Sequence, residues 1–248
     1  MQQNAMVKTA CVFLYGRKPL LSGKSGMEIQ DFEKEPKVVS WKKSLSLGGC
    51  TLRSIFPLKL LYKKNSELLF ALVSADVIDP NGHNLPQYLF IRGHACIIVI
   101  QLHNTDTGEK SFLMIHQRRI GNGLPNLEFP AGMIDRNVND PASVALKEVF
   151  EETGLSLAAT DIHPLCDKPL FSSPGASDEG IYYFGACIDV SDKESGSLDG
   201  RNINNADENE HIRVILCSRE KAEKETTSLQ ARLGLYLFDD FFNKKINS

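Results

Sequence analysis

Three glutamates lie close together in the segment KEVFEETG, at residues 147–154. Glu148, Glu151 and Glu152 are spaced i, i+3 and i+4, so on a helix they share one face, with Cβ atoms roughly 5–6 Å apart. Like charges at this spacing repel one another and destabilise a helix unless a cation or a basic group compensates them. The local pattern therefore allows two interpretations: a solvated acidic surface, which is the commoner case, or a site that holds a divalent cation.

A glycine turn, PAGMID at 130–135, comes shortly before these glutamates. Gly132 allows a positive φ angle or the close approach of another group to the backbone. A backbone carbonyl of this turn could point at the acidic face, and carboxylate plus carbonyl oxygen is the ligand set that Mg²⁺ prefers. A purely structural turn explains the same residues equally well.

A second acidic segment, ADENEHIRV at 206–214, leads into an apolar strand. Glu208 and Glu210 stand at the end of its polar part, where a solvated loop is by itself the favoured interpretation. The functional alternative is a general base that a loop brings to the site when the site closes.

Local signals predict the helix that carries the three glutamates. Asp140 suits the N-cap, Pro141 the first helical position and Gly154 the position just after the end. Between them, apolar residues at i, i+3, i+4 and i+7 form one stripe: Ala142, Ala145, Leu146 and Val149.

Strands and helices are mixed along the chain without an internal repeat. ACIIVIQL and SFLMIHQRR flank a polar turn and are apolar enough to be buried on both faces. Further strands are predicted near 164–171, at 181–190 and at 211–217, with a long polar segment at 191–210 and a final amphipathic helix at about 228–242. Between 38 and 92, short apolar runs alternate with the turns KNSE and DPNGHN, which indicates a small antiparallel section. We therefore expect an α+β or mixed α/β fold.

Composition excludes several classes of protein. The 248 residues are 42% hydrophobic and 24% charged, the net charge is -3, and no basic stripe is present, so nucleic-acid binding is not expected. The longest apolar run, at 95–100, is too short to cross a membrane. Six cysteines without a CxxC pair indicate reduced, packed thiols and a cytoplasmic protein. The N-terminus has no acidic residue before Glu28 and is compatible with an organelle transit peptide, although it is neither Arg-rich nor Ser-rich.

Taken together, the motifs resemble a Nudix hydrolase of the ADP-ribose/ADP-sugar pyrophosphatase branch. The family box appears as Gly132 followed by KEVFEETGL, and it is accompanied in order by RGHA (92–95), LEFPAGM (127–133), SPG…E (173–179) and ADENEHIRV. The resemblance covers about residues 87–240. It implies an α/β/α sandwich with a mixed sheet. The domains are then an N-terminal extension (1–36), an antiparallel section that serves dimerisation (37–92) and a Nudix hydrolase domain (93–248).

The resemblance also implies roles for individual residues. The metal ligands, for Mg²⁺ or alternatively Mn²⁺, are Ala131 through its carbonyl, Glu148, Glu152 and Glu210. Glu208 matches the general base, and Glu151 matches a residue that supports or shares the metals in catalysis. The residues that match substrate-binding positions are Arg92, Arg119, Glu128, Ser173, Pro174, Gly175 and Glu179.

Two departures from the family box bear on whether the protein is an enzyme or only binds a nucleotide. Lys147 stands where the family has arginine, and the first box glutamate is missing, with Asn137, Val138 and Asn139 in its region. A lysine is a flexible point charge and does not replace the rigid arginine fork. The departures favour a Nudix-fold module that binds a nucleotide without hydrolysing it, whereas the glutamate set favours an enzyme.

The enzyme expected from the resemblance splits a nucleoside diphosphate sugar into a nucleoside monophosphate and a sugar phosphate. ADP-ribose is the favoured substrate, and ADP-glucose, UDP-glucose and GDP-mannose are the alternatives. Relatives of this branch are commonly homodimers in which the N-terminal section helps to build the partner's substrate pocket, with PQYLFIRGHA (86–95) near the contact. The preferred base cannot be read from the sequence, because the N-terminal third matches the branch weakly.

Overall fold

The N-terminal part of the chain forms one helix and a three-stranded sheet in the computed structural model, which describes residues 32–134, 140–205 and 210–246. Helix α1 (Pro36–Leu47) precedes β1 (Thr51–Tyr62), β2 (Leu68–Ile78) and β3 (Tyr88–Ile91), which pair in that order and are all antiparallel. Phe32, Val38 and Trp41 pack with the strands in one hydrophobic cluster. The predicted antiparallel section is confirmed.

Helix α1 corrects the expectation that this section consists of strands alone. Its segment is rich in Val, Ser and Trp, which favour a helix only weakly, and its buried positions cover less than two turns (Lys37, Val38 and Trp41). Start and stop signals for a helix were nevertheless present in the sequence, since Pro36 occupies the first helical turn and Gly48 follows the last residue.

A mixed nine-stranded sheet lies at the centre of the remaining part of the chain. Its longer strands are β4 (Ala95–Asn104), β5 (Lys110–Arg118), β10 (Gly180–Val190) and β12 (Glu210–Cys217), and its short ones are β6 (Pro125–Glu128), β7 (Ala131–Met133), β8 (His163–Pro164), β9 (Leu170–Phe171) and β11 (Asn202–Asn205). The order is β11-β12-β5-β4-β10-β8, with β6 on β5, β7 on β4 and β9 on β10. Only the β4–β10 pair is parallel among the described strands.

Helices cover both faces of this sheet. Alternate residues of β4 point to opposite faces of the sheet. Ile98 packs towards α2 (Pro141–Thr153), and Val99 packs towards the C-terminal helix. Two short helices, α3 (Asp192–Leu198) and α4 (Arg219–Glu225), precede that C-terminal helix, α5 (Leu229–Ile246). The expected α/β/α sandwich is confirmed, as is the burial of β4 on both faces.

Helix α2 begins and ends where its local signals predict. The Asp140 side chain accepts a hydrogen bond from the Ala142 N–H at 3.1 Å, and Gly154 adopts a left-handed conformation with φ of 76°. Within the apolar stripe Ala145 and Val149 are buried, while Ala142 and Leu146 are partly buried against the same cluster.

Two connections differ from expectation. The polar segment 191–210 contains α3 and β11; Ser191 and Glu194 start α3 with reciprocal side-chain to backbone hydrogen bonds. The single strand expected near 164–171 is instead the separate two-residue strands β8 and β9, both paired with β10. Proline cannot donate a ladder hydrogen bond, so Pro164 and Pro169 limit how far this segment can pair. Within the described ranges, no helix is long and apolar enough to cross a membrane.

Candidate active site

The three glutamates of α2 have different surroundings although they share one helix face. Glu152 is buried, with 6% of its surface exposed, and Glu148 is half-buried. The Glu151 side chain is 47% exposed, and its Oε2 lies 2.7 Å from Lys147 Nζ one turn earlier. The structure therefore brings Glu148 and Glu152 towards the sheet and leaves Glu151 in a surface ion pair.

Gly132 lies directly against Glu148. A Cβ atom added at Gly132 would overlap the Cγ, Cδ and Oε1 atoms of Glu148. The glycine does not have a positive φ angle, so close approach and not backbone conformation is what requires glycine here. The turn expected from PAGMID is instead the short strand β7, and the Glu148 side chain rests on it at Gly132.

Glu152 reaches the same short strand from one helical turn further on. Its Oε2 accepts a hydrogen bond from the Ala131 N–H at 3.0 Å. Cys96 is the partner of Gly132 on the neighbouring strand β4, and its Sγ is 3.6 Å from the Gly132 carbonyl oxygen. Burial, with a smaller contribution from the negative charges of Glu148 and Glu152, raises the pKa of the Cys96 thiol to about 12. Two carboxylates therefore converge on Ala131–Gly132, next to a thiol that stays protonated.

The donor chemistry at this convergence fits a hard divalent cation. Paired carboxylate oxygens beside a backbone segment are the donors that Mg²⁺ and Mn²⁺ take. Among the residues that the structure describes, no group of three or more His, Cys, Asp or Glu side chains is placed to hold a metal. Glu208 lies outside the described residues, and Glu210 is described only as the first backbone position of β12, paired with Asn205.

Four of the predicted substrate-binding residues form two ion pairs. Arg119 donates from Nε and Nη2 to Oε2 of Glu128, at 3.1 and 2.8 Å. Arg92 Nε lies 3.1 Å from Glu179 Oε1, and its guanidinium lies over the Phe70 ring, 5.8 Å from the ring centroid. Two hydrogen bonds to one carboxylate hold the Arg119 guanidinium in one orientation, which preorganises its fork for an anion. The contact of Arg92 with Glu179 is a charge pair, since the buried Arg92 Nε makes no hydrogen bond.

The predicted turn at Ser173, Pro174 and Gly175 is connected to one of these pairs. The Ser173 carbonyl accepts hydrogen bonds from the N–H groups of Ala176 and Ser177, at 3.0 and 2.9 Å. Ser172 Oγ donates to Glu179 Oε2 at 3.1 Å, so the carboxylate that holds Arg92 also holds the start of the turn. The structure brings this turn and Arg92 together.

Sequence reasoning missed two residues beside this turn. Asp178 Oδ1 accepts hydrogen bonds from the N–H groups of Arg92 and Gly93, at 2.8 and 3.2 Å. Burial raises the pKa of the Asp178 carboxyl above its usual value, against the lowering effect of those two hydrogen bonds. His94 Nδ1 accepts from the Gly180 N–H at 3.1 Å, which leaves Nε2 as the donor of the neutral ring. Both residues stand inside motifs that were recognised, RGHA and SPG…E, but their partners are remote in sequence.

Three comparisons relate the chain to known proteins. Residues 93–235 match the model of the NUDIX domain family. The chain is 28% identical over 178 residues to "Nudix hydrolase 14, chloroplastic" of Arabidopsis thaliana, a match that covers 68% of this chain and 57% of that protein. It is also similar to a solved structure described as "Crystal structure of ADP compounds hydrolase", with a TM-score of 0.54, 15% identity, and coverage of 79% of this chain and 95% of that one. At that identity the structural likeness shows the fold alone.

Proposed function

Because the chain belongs to the NUDIX domain family, we propose that it is a metal-dependent hydrolase of the diphosphate of a nucleoside diphosphate sugar. The observation that carries the proposal is the convergence of Glu148 and Glu152 on Ala131–Gly132. Two adjacent carboxylates without a cation repel each other, so a site that keeps both in place is suited to hold positive charge. The family identified from the sequence motifs is confirmed by the match.

The residues that would hold Mg²⁺, or Mn²⁺, are Glu148, Glu152, Glu210 and Ala131 through its carbonyl. When bound, such an ion supplies positive charge to the phosphate oxygens and lowers the pKa of water. Side chains of the protein itself bind and orient the substrate. Arg92 and Arg119 bind and orient the diphosphate through their forks, and the Ser173–Gly175 turn borders the sugar-diphosphate.

Hydrolysis adds the oxygen of water to one phosphorus and breaks the bond from that phosphorus to the bridging oxygen. Glu208 is proposed as the general base that takes the proton of the attacking water. Glu151 is proposed to support the site from the outer face of α2. The products are a nucleoside monophosphate and a sugar phosphate.

ADP-ribose is the proposed substrate, because RGHA and ADENEHIRV resemble the branch of the family that acts on it. The solved relative is described as an ADP compounds hydrolase, which agrees with an adenine nucleotide. ADP-glucose, UDP-glucose and GDP-mannose remain the alternatives within the same chemistry. Incubation with this panel and Mg²⁺, followed by detection of the nucleoside monophosphate, tests the proposal and ranks the substrates.

A matched set of variants tests the two converging carboxylates. Glu148→Gln and Glu152→Gln should each lower kcat at least tenfold, because each keeps the side-chain shape and removes one negative charge. Glu109→Gln, at an exposed carboxylate in the β4–β5 turn, is the control. Undiminished turnover by Glu152→Gln would refute the assignment of that residue.

A second candidate function is a nucleotide-binding module without hydrolysis. The observation that favours it is Lys147, which stands where the family has arginine and pairs with the exposed Glu151. Binding of a nucleotide sugar without release of any monophosphate from any member of the panel would establish this alternative and exclude the enzyme.

We also propose a homodimer that forms through the N-terminal section. Apolar side chains are exposed on its sheet, including Tyr88 at 61% and Leu72 at 40%. Light scattering of the protein and of a Leu72→Ser/Tyr88→Ser variant tests this, because the variant should be monomeric if this face is the interface.

The boundaries 1–36, 37–92 and 93–248 and a cytoplasmic location also stay proposals. The named relative is chloroplastic, so organelle import is the alternative location. A fluorescent fusion at the C-terminus, with and without residues 1–31, distinguishes the two.

A further inference from the structure

Two segments of the chain run side by side between the three-stranded sheet and the nine-stranded sheet. One is residues 92–94, which joins β3 to β4, and the other is residues 178–180, which leads into β10. The segments are parallel on both sides of this crossing, since Phe90 pairs with Ser177 before it and Ala95 pairs with Ile181 after it. The crossing is therefore a place where the N-terminal section is joined to the large sheet.

The Asp178 side chain ends the pairing on the N-terminal side of the crossing. The Phe90 N–H donates to the Ala176 carbonyl at 2.8 Å, and in a regular parallel ladder the next bond would join the Arg92 N–H to the Asp178 carbonyl. The Arg92 N–H instead donates to Oδ1 of the Asp178 carboxylate at 2.8 Å, and the Gly93 N–H donates to Oδ1 and Oδ2, both at 3.2 Å. One carboxylate thus takes the place of a backbone carbonyl and accepts from two neighbouring N–H groups.

Side chains also make the next contacts along the crossing. Arg92 Nε lies 3.1 Å from Glu179 Oε1, and His94 Nδ1 accepts a hydrogen bond from the Gly180 N–H at 3.1 Å. Gly180 permits this approach, since a Cβ atom there would lie 2.9 Å from His94 Nδ1. Because side chains replace the backbone ladder here, the relative position of the two segments depends on them.

Both segments carry groups that the proposed function assigns to the substrate. Arg92 belongs to the first segment, and the Ser173–Gly175 turn comes shortly before the second. Ala176 connects the two, since its N–H donates to the Ser173 carbonyl and its carbonyl accepts from the Phe90 N–H. The position of the turn relative to Arg92 is therefore set by the contacts of the crossing.

The direction of the Arg92 side chain depends strongly on its own backbone. Within the part of the chain that the structure describes, the buried Arg92 Nε makes no hydrogen bond. The contacts of the guanidinium are the charge pair with Glu179 and the Phe70 ring, whose centroid is 5.8 Å away. Such contacts fix an orientation less than a hydrogen bond does, because only the hydrogen bond weakens steeply away from a straight angle. The Asp178 carboxylate, which holds the Arg92 N–H, thus controls where this side chain leaves β3.

From these contacts we propose that Asp178 is a positioning residue, which places Arg92 and the Ser173–Gly175 turn so that both meet the same sugar-diphosphate. It acts through the N–H groups of Arg92 and Gly93 and not by touching the substrate. The inference rests on the proposed function for the roles of Arg92 and the turn. Displacement of a binding group by about 1 Å can cost about 10²-fold in rate, so loss of this contact should be measurable.

Three substitutions of Asp178 separate the effect of position from that of charge. Asp178→Asn removes the charge but keeps Oδ1, whereas Asp178→Glu keeps the charge but moves the oxygens by one methylene, and Asp178→Ala removes the acceptor. The KM for ADP-ribose should stay within about threefold of the native value in Asp178→Asn, rise about fivefold or more in Asp178→Glu, and rise about tenfold or more in Asp178→Ala. The kcat should change by less than about threefold in each, because β7 positions Glu148 and Glu152 and a uniform loss of binding raises KM alone.

Asp106→Ala is the matched control. Asp106 Oδ2 accepts a hydrogen bond from the Asp192 N–H at 2.8 Å, and these residues are 86 positions apart in the chain, as Asp178 and Arg92 are. Asp106 lies in the β4–β5 turn, at the end of β4 that is opposite to the crossing. Its loss should lower the free energy of unfolding and leave KM and kcat unchanged, as a merely structural role of Asp178 would.

Calorimetric titration with ADP-ribose in EDTA measures the same order of variants as Kd, without hydrolysis. If Asp178→Ala does not fold, Asp178→Asn and Asp178→Glu decide the question. Native KM and Kd in Asp178→Glu, tighter binding by Asp178→Glu than by Asp178→Asn, or a lower kcat at unchanged KM would overturn the positioning role even if ADP-ribose is cleaved. The expected order of Kd without cleavage of any nucleotide sugar would support the positioning role and refute only the proposed hydrolysis. A native protein that neither binds nor cleaves any member of the panel would overturn both.

Discussion

Glu148 and Glu152 stand one helical turn apart, and neighbouring residues of the short strand β7 set the positions of their side chains. The Glu148 side chain occupies the space that a Cβ atom at residue 132 would fill, and the Glu152 carboxylate accepts a hydrogen bond from the Ala131 N–H. Their mutual position is therefore set by the backbone of β7 and not by each other, because two like charges alone would move apart.

The first prediction at the residue scale concerns Gly132. Gly132→Ala should displace the Glu148 side chain, lower turnover at least tenfold and reduce the free energy of unfolding by about 1–3 kcal/mol, as overpacking typically does. Gly196→Ala is the control, since nothing lies within 4 Å of a Cβ there. Activity and denaturant unfolding measure both effects, and a fully active Gly132→Ala protein would contradict the contact.

The second prediction concerns Asp178 and pH. Burial raises the pKa of this carboxyl, so the folded protein binds its proton more tightly than the unfolded chain does. The free energy of unfolding contributed by Asp178 should rise as the pH falls through the folded-state pKa and level off below the ordinary value of 3.8. The difference between the native protein and Asp178→Asn, measured by urea unfolding from pH 7 to pH 3.5, should follow this curve.

Asp140 provides a control of opposite sign. The Ser143 hydroxyl and the Ala142 N–H lower the pKa of the Asp140 carboxyl. Its contribution to the free energy of unfolding is therefore present above the ordinary pKa and is lost as the pH falls through the folded-state value. If the differences for Asp178→Asn and Asp140→Asn had the same sign of slope, the burial of Asp178 would not be the cause.

At the scale of elements, the C-terminus of α2 is joined to the start of β11. Arg201 Nη1 donates to the Thr153 carbonyl at 3.3 Å, and a Cβ at Gly154 would collide with the same nitrogen. A cation at a helix C-terminus interacts favourably with the helix dipole. Because Glu152 directly precedes Thr153, this contact fixes the end of the helix that carries the buried carboxylate.

The prediction for this element is that Arg201→Met lowers the free energy of unfolding by about 1 kcal/mol, from the lost hydrogen bond and the lost charge–dipole interaction. Arg201→Lys should recover part of this, because the charge remains while the fork is lost. Arg53→Met removes an exposed pair with Asp76 at 3.7 Å and should change the unfolding free energy by less than about 0.5 kcal/mol. Chemical denaturation measures all three, and an Arg201→Met protein as stable as Arg53→Met would exclude a role for the contact.

At the scale of the whole molecule, the proposed cation site couples folding to metal. Mg²⁺ that binds only the folded protein stabilises it by about 2.7 kcal/mol at a concentration one hundred times the Kd. Millimolar Mg²⁺ should therefore raise the Tm, and EDTA should reverse the change. The Glu148→Gln/Glu152→Gln protein should not respond, because the site has lost its charge. A native melt that is the same in Mg²⁺ and in EDTA would contradict a metal site at these residues.

The sequence by itself determined the features that depend on neighbours along the chain. The limits of α2 follow from Asp140, Pro141 and Gly154, and the buried strand β4 follows from its continuous apolar run. The family was identified from the order of its motifs, which is also a property of the chain alone. These features were predictable because caps, turns and hydrophobic period act over a few residues.

Only the tertiary structure decided which of the glutamates converge on the same strand. On an isolated helix, Glu151 and Glu152 are both neighbours of Glu148, at i+3 and i+4. In the folded protein Glu152 is buried against β7, whereas Glu151 stays 47% exposed and pairs with Lys147. The pairs of Arg92 with Glu179 and of Arg119 with Glu128 likewise form where separate segments of the chain meet. Contacts between segments far apart in the chain are selected by packing, and packing has no local signal in the order of residues.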